Sequence, residues 1–192
     1  MVCCGNEITE DDILLNKHDT GLVVVDVQGK LAHLVGDGHQ VIQRIATLIE
    51  GAKALGLPIV WLEQNPTKLG VTVPELALLL APLSPIAKFT FNGCANEAFC
   101  NAVEQANVHN WLVCGVEAHI CVYQTALGLK ERGFNVEVVV DSIASRVEAS
   151  KDLAITKLAT KGVGLTNVEM CLYELVQDCR APEFKTILNL IK

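Results

Sequence analysis

Apolar and polar positions change period several times along the chain, and the changes mark out alternating strands and helices. Residues 22–27, LVVVDV, form a short β-branched run behind the turn signal Asp19-Thr20-Gly21, which reads as a buried strand. Over 40–55 the apolar side chains Val41, Ile42, Ile45, Leu48, Ile49, Ala52 and Leu55 recur at helical spacing, and Gly56 and Pro58 stop the pattern. Ile59-Val60-Trp61-Leu62 reads as a second strand. Residues 64–87 hold four of the six prolines and little periodicity except around 75–81. A long excursion of this kind in a compact domain is often functional. Residues 86–90 are expected to form an edge strand.

The alternation then continues. A helix is predicted over 95–106, with Ala95, Ala98, Phe99, Ala102, Val103 and Ala106 on one face. A strand follows at 110–116, a helix at 120–132 closed by Gly133, a strand at 135–140, and a helix at 148–161 ending at Gly162. The strand 163–166 leads into a helix with the capping-box pattern Thr166-x-x-Glu169. Pro182 opens a last helix with Phe184, Ile187, Leu188 and Ile191 inward. Strands that are apolar throughout, separated by helices, predict an α/β fold: a three-layer α/β/α sandwich around a mostly parallel six-stranded, Rossmann-like sheet. In such sheets ligands bind at the carboxyl ends of strands. That rule points to Asp26, to Glu63-Gln64 and to the turn at 115–121.

Composition narrows the picture. A length of 192 residues, 51 % apolar and 19 % charged, suits one domain over 1–192 with a sizeable core, residues 1–15 being a loosely attached N-terminal segment. No apolar run approaches the ~20 residues of a membrane span, and no basic-then-apolar leader opens the chain. The net charge of −7 argues against nucleic acid or an anionic membrane as partner. Eight cysteines without a CxxC pair give no structural zinc pattern. Free thiols and a cytoplasmic setting are the default. Cys3-Cys4 could be acylated, although Glu7, Glu10, Asp11 and Asp12 beside it would weaken membrane attraction.

Three residues stand out at strand ends. Asp26 closes an apolar run, where an unpaired carboxylate is costly; it could equally cap a turn. Lys88 lies in SPIAKFTF, where its stem would be apolar-packed and its charge presented to a cleft, or would snorkel to the surface. Cys121 is expected at the first turn of a helix, whose N–H groups and dipole favour a thiolate and an oxyanion. A lone cysteine is more often a small buried hydrophobe, and Cys100, Cys114, Cys171 and Cys179 fit that description, the first and last two on helices. Together the three make chemical sense: Asp26 as base for the Cys121 thiol, with Lys88 holding the acid and lowering the thiol pKa below the usual value.

The blocks VVVDVQ (23–28), IAKFTF (86–91) and GVEAHICVYQTAL (115–127) resemble those of the isochorismatase-like cysteine hydrolases, with Asp, Lys and Cys in that family's order. LEQNPTKLGVTVPEL (62–76), VVVDSIASR (138–146) and PEFKTILNLIK (182–192) are closest to the isochorismatase-domain-containing proteins of animals and kinetoplastids. The resemblance implies Asp26 as general base and acid, Lys88 as electrostatic partner and Cys121 as nucleophile. It also implies a cis peptide between Val116 and Glu117, with the N–H groups of Glu117 and Cys121 forming an oxyanion hole. Gln28, Leu31, Trp61, Gln64 and Phe91 flank the strand ends as pocket walls. His119, two residues before Cys121, points elsewhere around the turn.

Two departures restrict the activity. The family's nicotinamidases bind a metal after the second strand, but here that region reads Glu63-Gln64-Asn65-Pro66, with no His between His39 and His109. No metal or other cofactor is therefore expected. Members that cleave the isochorismate vinyl ether do not need a cysteine, so Cys121 favours a small amide-type substrate. Two other readings stay open: a binding or assembly protein that keeps the fold and pocket, and a redox protein using an activated Cys121. Family members usually assemble, so a homo-oligomer is expected, with the C-terminal helix and 64–87 as candidate contacts.

Overall fold

A computed structural model describes residues 14–192. The Cys3-Cys4 pair and most of the proposed N-terminal segment lie outside the described residues; at its end, Leu15 is buried in the core. Six strands form one parallel sheet: β1 (Thr20–Val25), β2 (Ile59–Gln64), β3 (Ile86–Lys88), β4 (Asn110–Val116), β5 (Asn135–Ala144) and β6 (Gly164–Thr166). Their order is β3-β2-β1-β4-β5-β6. All neighbouring pairs are parallel, and β3 is an edge strand as predicted.

The helices are α1 (Leu31–Leu34), α2 (Gly38–Ala54), α3 (Pro66–Leu69), α4 (Pro74–Leu80), α5 (Glu97–Gln105), α6 (Tyr123–Glu131), α7 (Glu148–Thr160), α8 (Val168–Val176) and α9 (Phe184–Ile191). Period-two geometry sends successive strand side chains to opposite faces. Leu22 and Val24 of β1 join Leu112, Cys114 and Val139 under α2, α4, α8 and α9. Val23 and Val25 join Leu62, Val113 and Val138 under α5, α6 and α7. Burial on both faces explains why the strands read as continuous apolar runs. Each such side chain removed from water contributes about 1.5–3 kcal/mol.

Several boundaries differ from expectation, each for a local reason. β1 ends at Val25 because Asp26 takes a left-handed conformation, φ 52°. β5 runs on to Ala144. The cap of α8 is Asn167, whose side chain accepts the Met170 N–H at 2.9 Å, rather than Thr166. Gln177, at φ 59°, ends α8, so Cys179 lies exposed in the following turn and not buried on a helix. The 64–87 excursion carries α3 and α4, and it is tied back to the β1 end by Gly29 N–H to Val71 O (3.0 Å) and Val73 N–H to Val27 O (3.0 Å). The apolar face of α9 is spent on its own chain, with Ile187 fully buried and Phe184, Leu190 and Ile191 packed on the α2 side. Among the described residues no helix is long and apolar enough to cross a membrane.

Candidate active site

The chain leaves β1 toward β2 and β3, then returns to β4 on the other side of β1. The carboxyl ends of β1 and β4 therefore flank the switch point, where an open α/β sheet leaves a crevice. Asp26 is the first residue after β1 and Glu117 the first after β4. The two strands approach closely here. Gly115 has φ 129°, and a Cβ at that position would lie 2.0 Å from Val25 O. Only glycine fits.

Lys88 comes from β3, two strands away from β1. Adjacent strands are ~4.8 Å apart, so its long side chain must lie across the end of β2 to reach the crevice. Gln64, its register partner on β2, supports it on the way. Lys88 Nζ donates to Asp26 Oδ2 at 2.7 Å, to Gln64 Oε1 at 2.8 Å and to Thr90 O at 3.3 Å. All three ammonium protons have acceptors, although Lys88 is fully buried. That completeness makes a buried charge tolerable. Gln64 in turn donates from Nε2 to Phe89 O at 2.8 Å.

Asp26 is 1 % exposed. Lys88 occupies Oδ2, while Oδ1 is buried without a hydrogen-bond partner. Burial raises the Asp26 pKa above the usual carboxylate value; Lys88, and to a lesser degree Cys121, pull it partly back. A carboxylate so shifted is a better proton acceptor than one in water.

Cys121 lies in a π-helical turn, Ala118–Val122, that runs directly into α6. The Glu117 carbonyl takes the N–H groups of Ile120 (3.1 Å) and Val122 (3.2 Å) and passes over that of Cys121 between them. The thiol is 6 % exposed. Its expected acidity is reversed. Burial, then the Asp26 carboxylate, push Cys121 up to about 12 against the opposing pull of Lys88. The resting group is a thiol.

The peptide bond between Val116 and Glu117 is cis. The Glu117 side chain, 6 % exposed, accepts from the Arg146 backbone N–H at 3.3 Å and from Arg146 Nε. His119 Nδ1 lies 2.9 Å from Ser145 Oγ and 3.4 Å from Glu117 Oε2, so His119 turns toward the β5 end. Sequence reasoning missed the Glu117–Arg146 pair, which spans 29 residues and leaves no local signal.

The remaining wall residues divide. Gln28 is a fully buried staple: its Nε2 reaches Gln64 O (3.1 Å) and Gly70 O (2.6 Å), and its Oε1 accepts the Gln64 N–H (2.6 Å). Trp61 packs in the core on the α2 face, the opposite face from Cys121, and its indole N–H donates to Thr72 Oγ1 at 2.8 Å. Leu31 is half-buried at the start of α1. Phe91 is 54 % exposed after β3. Glu63 is committed to Thr72, accepting its N–H at 2.6 Å and its hydroxyl at 2.8 Å. Among the described residues, no group of three His, Cys, Asp or Glu side chains is placed to hold a metal ion.

Fold and site together describe an open parallel α/β protein whose acid, ammonium and thiol meet at the topological switch point. The isochorismatase domain family model matches residues 20–170, and the chain belongs to the isochorismatase family. It is 40 % identical over 145 residues to isochorismatase domain-containing protein 1 of Salmo salar, which covers 76 % of this chain but 51 % of that protein; the chain thus spans about half the length of that relative. It is 36 % identical over 176 residues to isochorismatase domain-containing protein 2 of Bos taurus, covering 89 % and 82 %. A Caenorhabditis elegans structure described as MAR1 ribonuclease superposes with TM-score 0.87 at 35 % identity, covering 93 % of this chain and 92 % of that one. Two YcaC structures are similarly close. That of Escherichia coli, described as an octameric hydrolase of unknown specificity, has TM-score 0.88 at 27 % identity and covers 93 % and 90 %. That of Pseudomonas aeruginosa, containing covalent acrylamide, has TM-score 0.87 at 28 % identity and covers 93 % and 91 %.

Proposed function

We propose that this protein is a cysteine hydrolase acting on a small non-peptide amide through Asp26, Lys88 and Cys121. The observation that carries the reading is the buried Asp26 carboxyl, whose Oδ2 Lys88 holds and whose Oδ1 has no hydrogen-bond partner, interacting with the Cys121 thiol. Asp26 takes the Cys121 proton as the sulfur attacks the carbonyl carbon, so that a free thiolate, disfavoured here, never accumulates. The developing oxyanion is received by the N–H groups of Glu117 and Cys121. Asp26 returns its proton to the leaving amine as the C–N bond breaks, leaving a thioester. Asp26 then deprotonates water, which attacks the thioester, and the thiol leaves with that proton.

The Pseudomonas aeruginosa relative is described with covalent acrylamide, an electrophile, so a protein of this fold can carry a reactive nucleophile. The net charge of −7 weighs against RNA as substrate despite the name of the Caenorhabditis elegans neighbour. The test is a panel of small amides and carbamates scored by ammonia or amine release. Asp26→Ala and Cys121→Ser should each abolish turnover; activity retained in both variants sinks the assignment. The near-closure of the site, with Lys88 at 0 % and Asp26 at 1 % exposure, favours a second reading, a binding or assembly protein that keeps the pocket. No turnover across the panel, with saturable ligand binding, would support it. We further propose that the chain self-associates, as the octameric Escherichia coli relative does.

A further inference from the structure

We infer that a cavity on the edge of the sheet opposite the crevice binds a small ligand with a carboxylate at one end and an ammonium at the other, of the ω-amino acid class. The cavity lies at the amino ends of β4, β5 and β6, measures about 390 Å³, and has Asn110, Trp111, Lys130, Asn135 and Glu137 in its walls. That volume is within the range of small-molecule sites. β4 runs seven residues from Asn110 to Val116, which sets the cavity roughly 20 Å from the carboxyl edge. None of Asp26, Lys88 and Cys121 lines it, so the inference stands apart from the hydrolase reading.

The cavity holds two opposite charges that do not meet. Among the described residues neither Lys130 nor Glu137 forms a salt bridge, with the other or with any third group. Their anchoring explains the separation. Val136 packs with Trp111 and Leu129 in the layer of α5, α6 and α7, so strand alternation turns Glu137 to the other face, where Glu174 of α8 acts on it. Lys130 comes from α6. A Cβ built on Gly162 would lie 3.4 Å from Lys130 Nζ, and one on Gly164 would lie 2.6 Å from Glu137 Cγ. Side chains at those two positions would press on both charged groups, and glycine leaves them room. Glu137 is half-buried, and burial, then Glu174, raise its pKa above the usual carboxylate value, the mark of a carboxyl short of a cation. Asn135 donates to Asn110 Oδ1 at 3.2 Å, and its own Oδ1 remains as an acceptor beside Glu137. On the α6 side Lys130 lacks an anion, and the indole N–H of Trp111 is buried without a partner. A ligand lying across the sheet edge, with its carboxylate on Lys130 and its ammonium on Glu137, supplies the partner that each lacks. A simple anion or a simple amine supplies only one.

Isothermal titration calorimetry of the full chain tests this. The probes are 4-aminobutyrate and 6-aminohexanoate, each set against the simple amine and the simple carboxylate of matching length. At least one of the two ω-amino acids should bind saturably and about tenfold or more tighter than either half, the worth of one charge-assisted contact. Lys130→Met should bring its affinity down to that of the amine, and Glu137→Gln to that of the carboxylate. Lys130 is exposed, so its variant keeps the test decisive even if Glu137→Gln does not fold. Absence of saturable binding, equal affinities for an ω-amino acid and its halves, or tight binding that survives in Lys130→Met overturns the inference.

Discussion

Lys88 Nζ stands 2.7 Å from Asp26 Oδ2 with both side chains buried, a pair drawn from strands on either side of β2. Its charges are compensated only while both partners are present. Lys88→Met should therefore cost about 3–5 kcal/mol of stability, the range for leaving one member of a buried pair alone. Lys88→Met combined with Asp26→Leu should recover much of that loss. Urea denaturation of the single and double variants measures it. A single variant as stable as wild type would show that water reaches the pair.

The direction of the Cys121 shift leads to a pH profile opposite to that of an activated thiolate. With the thiol pushed up to about 12, its iodoacetamide labelling should rise roughly tenfold per pH unit from 7 to 11, beyond the ~8.5 midpoint of a free cysteine. Asp26→Asn removes a group that raises the thiol. It should therefore speed labelling at pH 8 while abolishing turnover. Slower labelling in Asp26→Asn would mean that Asp26 assists alkylation as a base more than it opposes the thiolate.

Gly115 gives a sharper structural test. Its φ of 129° and the 2.0 Å approach of a Cβ to Val25 O leave no room for alanine, so Gly115→Ala must push β4 from β1 beneath the site. Spread strands should lower Cys121 reactivity and stability together, the latter by roughly 1–3 kcal/mol, as is usual for strained or overpacked positions. Unchanged labelling and an unchanged urea midpoint would refute this account.

These contrasts show which parts of the site are legible in sequence. Asp26 and Lys88 interrupt apolar runs, so their chemistry is visible in the linear pattern of residues. Cys121 gains meaning from the strand-to-helix change around it. The layer pattern follows from periodicity alone. The sign of the Cys121 shift does not, because it depends first on burial by segments remote in sequence and then on the Asp26 carboxylate brought beside it. The same is true of Arg146, whose link to Glu117 exists only once β4 and β5 are paired. Trp61 shows the converse. It stands near a strand end in sequence, yet strand alternation turns it to the opposite face, where Thr72 binds it.

Buried thiols also set an alkaline limit. Burial raises Cys114, Cys121 and Cys171 above the ordinary value, so the folded chain holds protons that the unfolded chain releases. Stability from these groups is complete below the unfolded thiol pKa and is lost as pH climbs from about 8.5 toward the folded values. Each should contribute a slope of about 1.4 kcal/mol per pH unit in that window. Urea midpoints from pH 8 to 11 should fall, and Cys171→Ala should flatten the slope by one proton. A flat wild-type profile would show that the thiols ionise without unfolding the chain.

The last expectation concerns the surface around the site. Leu34 (67 % exposed) follows β1, Val71 (67 %) follows β2, Phe89 (75 %) and Phe91 (54 %) follow β3, and Val147 (60 %) follows β5. These segments follow the carboxyl ends of strands; other exposed apolar side chains, among them Leu78 (78 %) and Leu153 (60 %), lie on helices. An apolar surface gathered on one edge is characteristic of a contact or ligand site. The expected occupant is a second copy of the chain, since α9 has spent its apolar face internally and cannot supply the interface. Light scattering should give a mass above that of one chain at micromolar concentration, and Phe89→Ser should reduce it. Phe89 is 75 % exposed, and its carbonyl accepts from Gln64 Nε2. Loss of assembly should therefore leave the Lys88–Asp26 pair intact, and any fall in Cys121 labelling would report the partner's share in closing the crevice. A wild-type chain that stays monomeric at tens of micromolar would leave the apolar edge to the substrate instead.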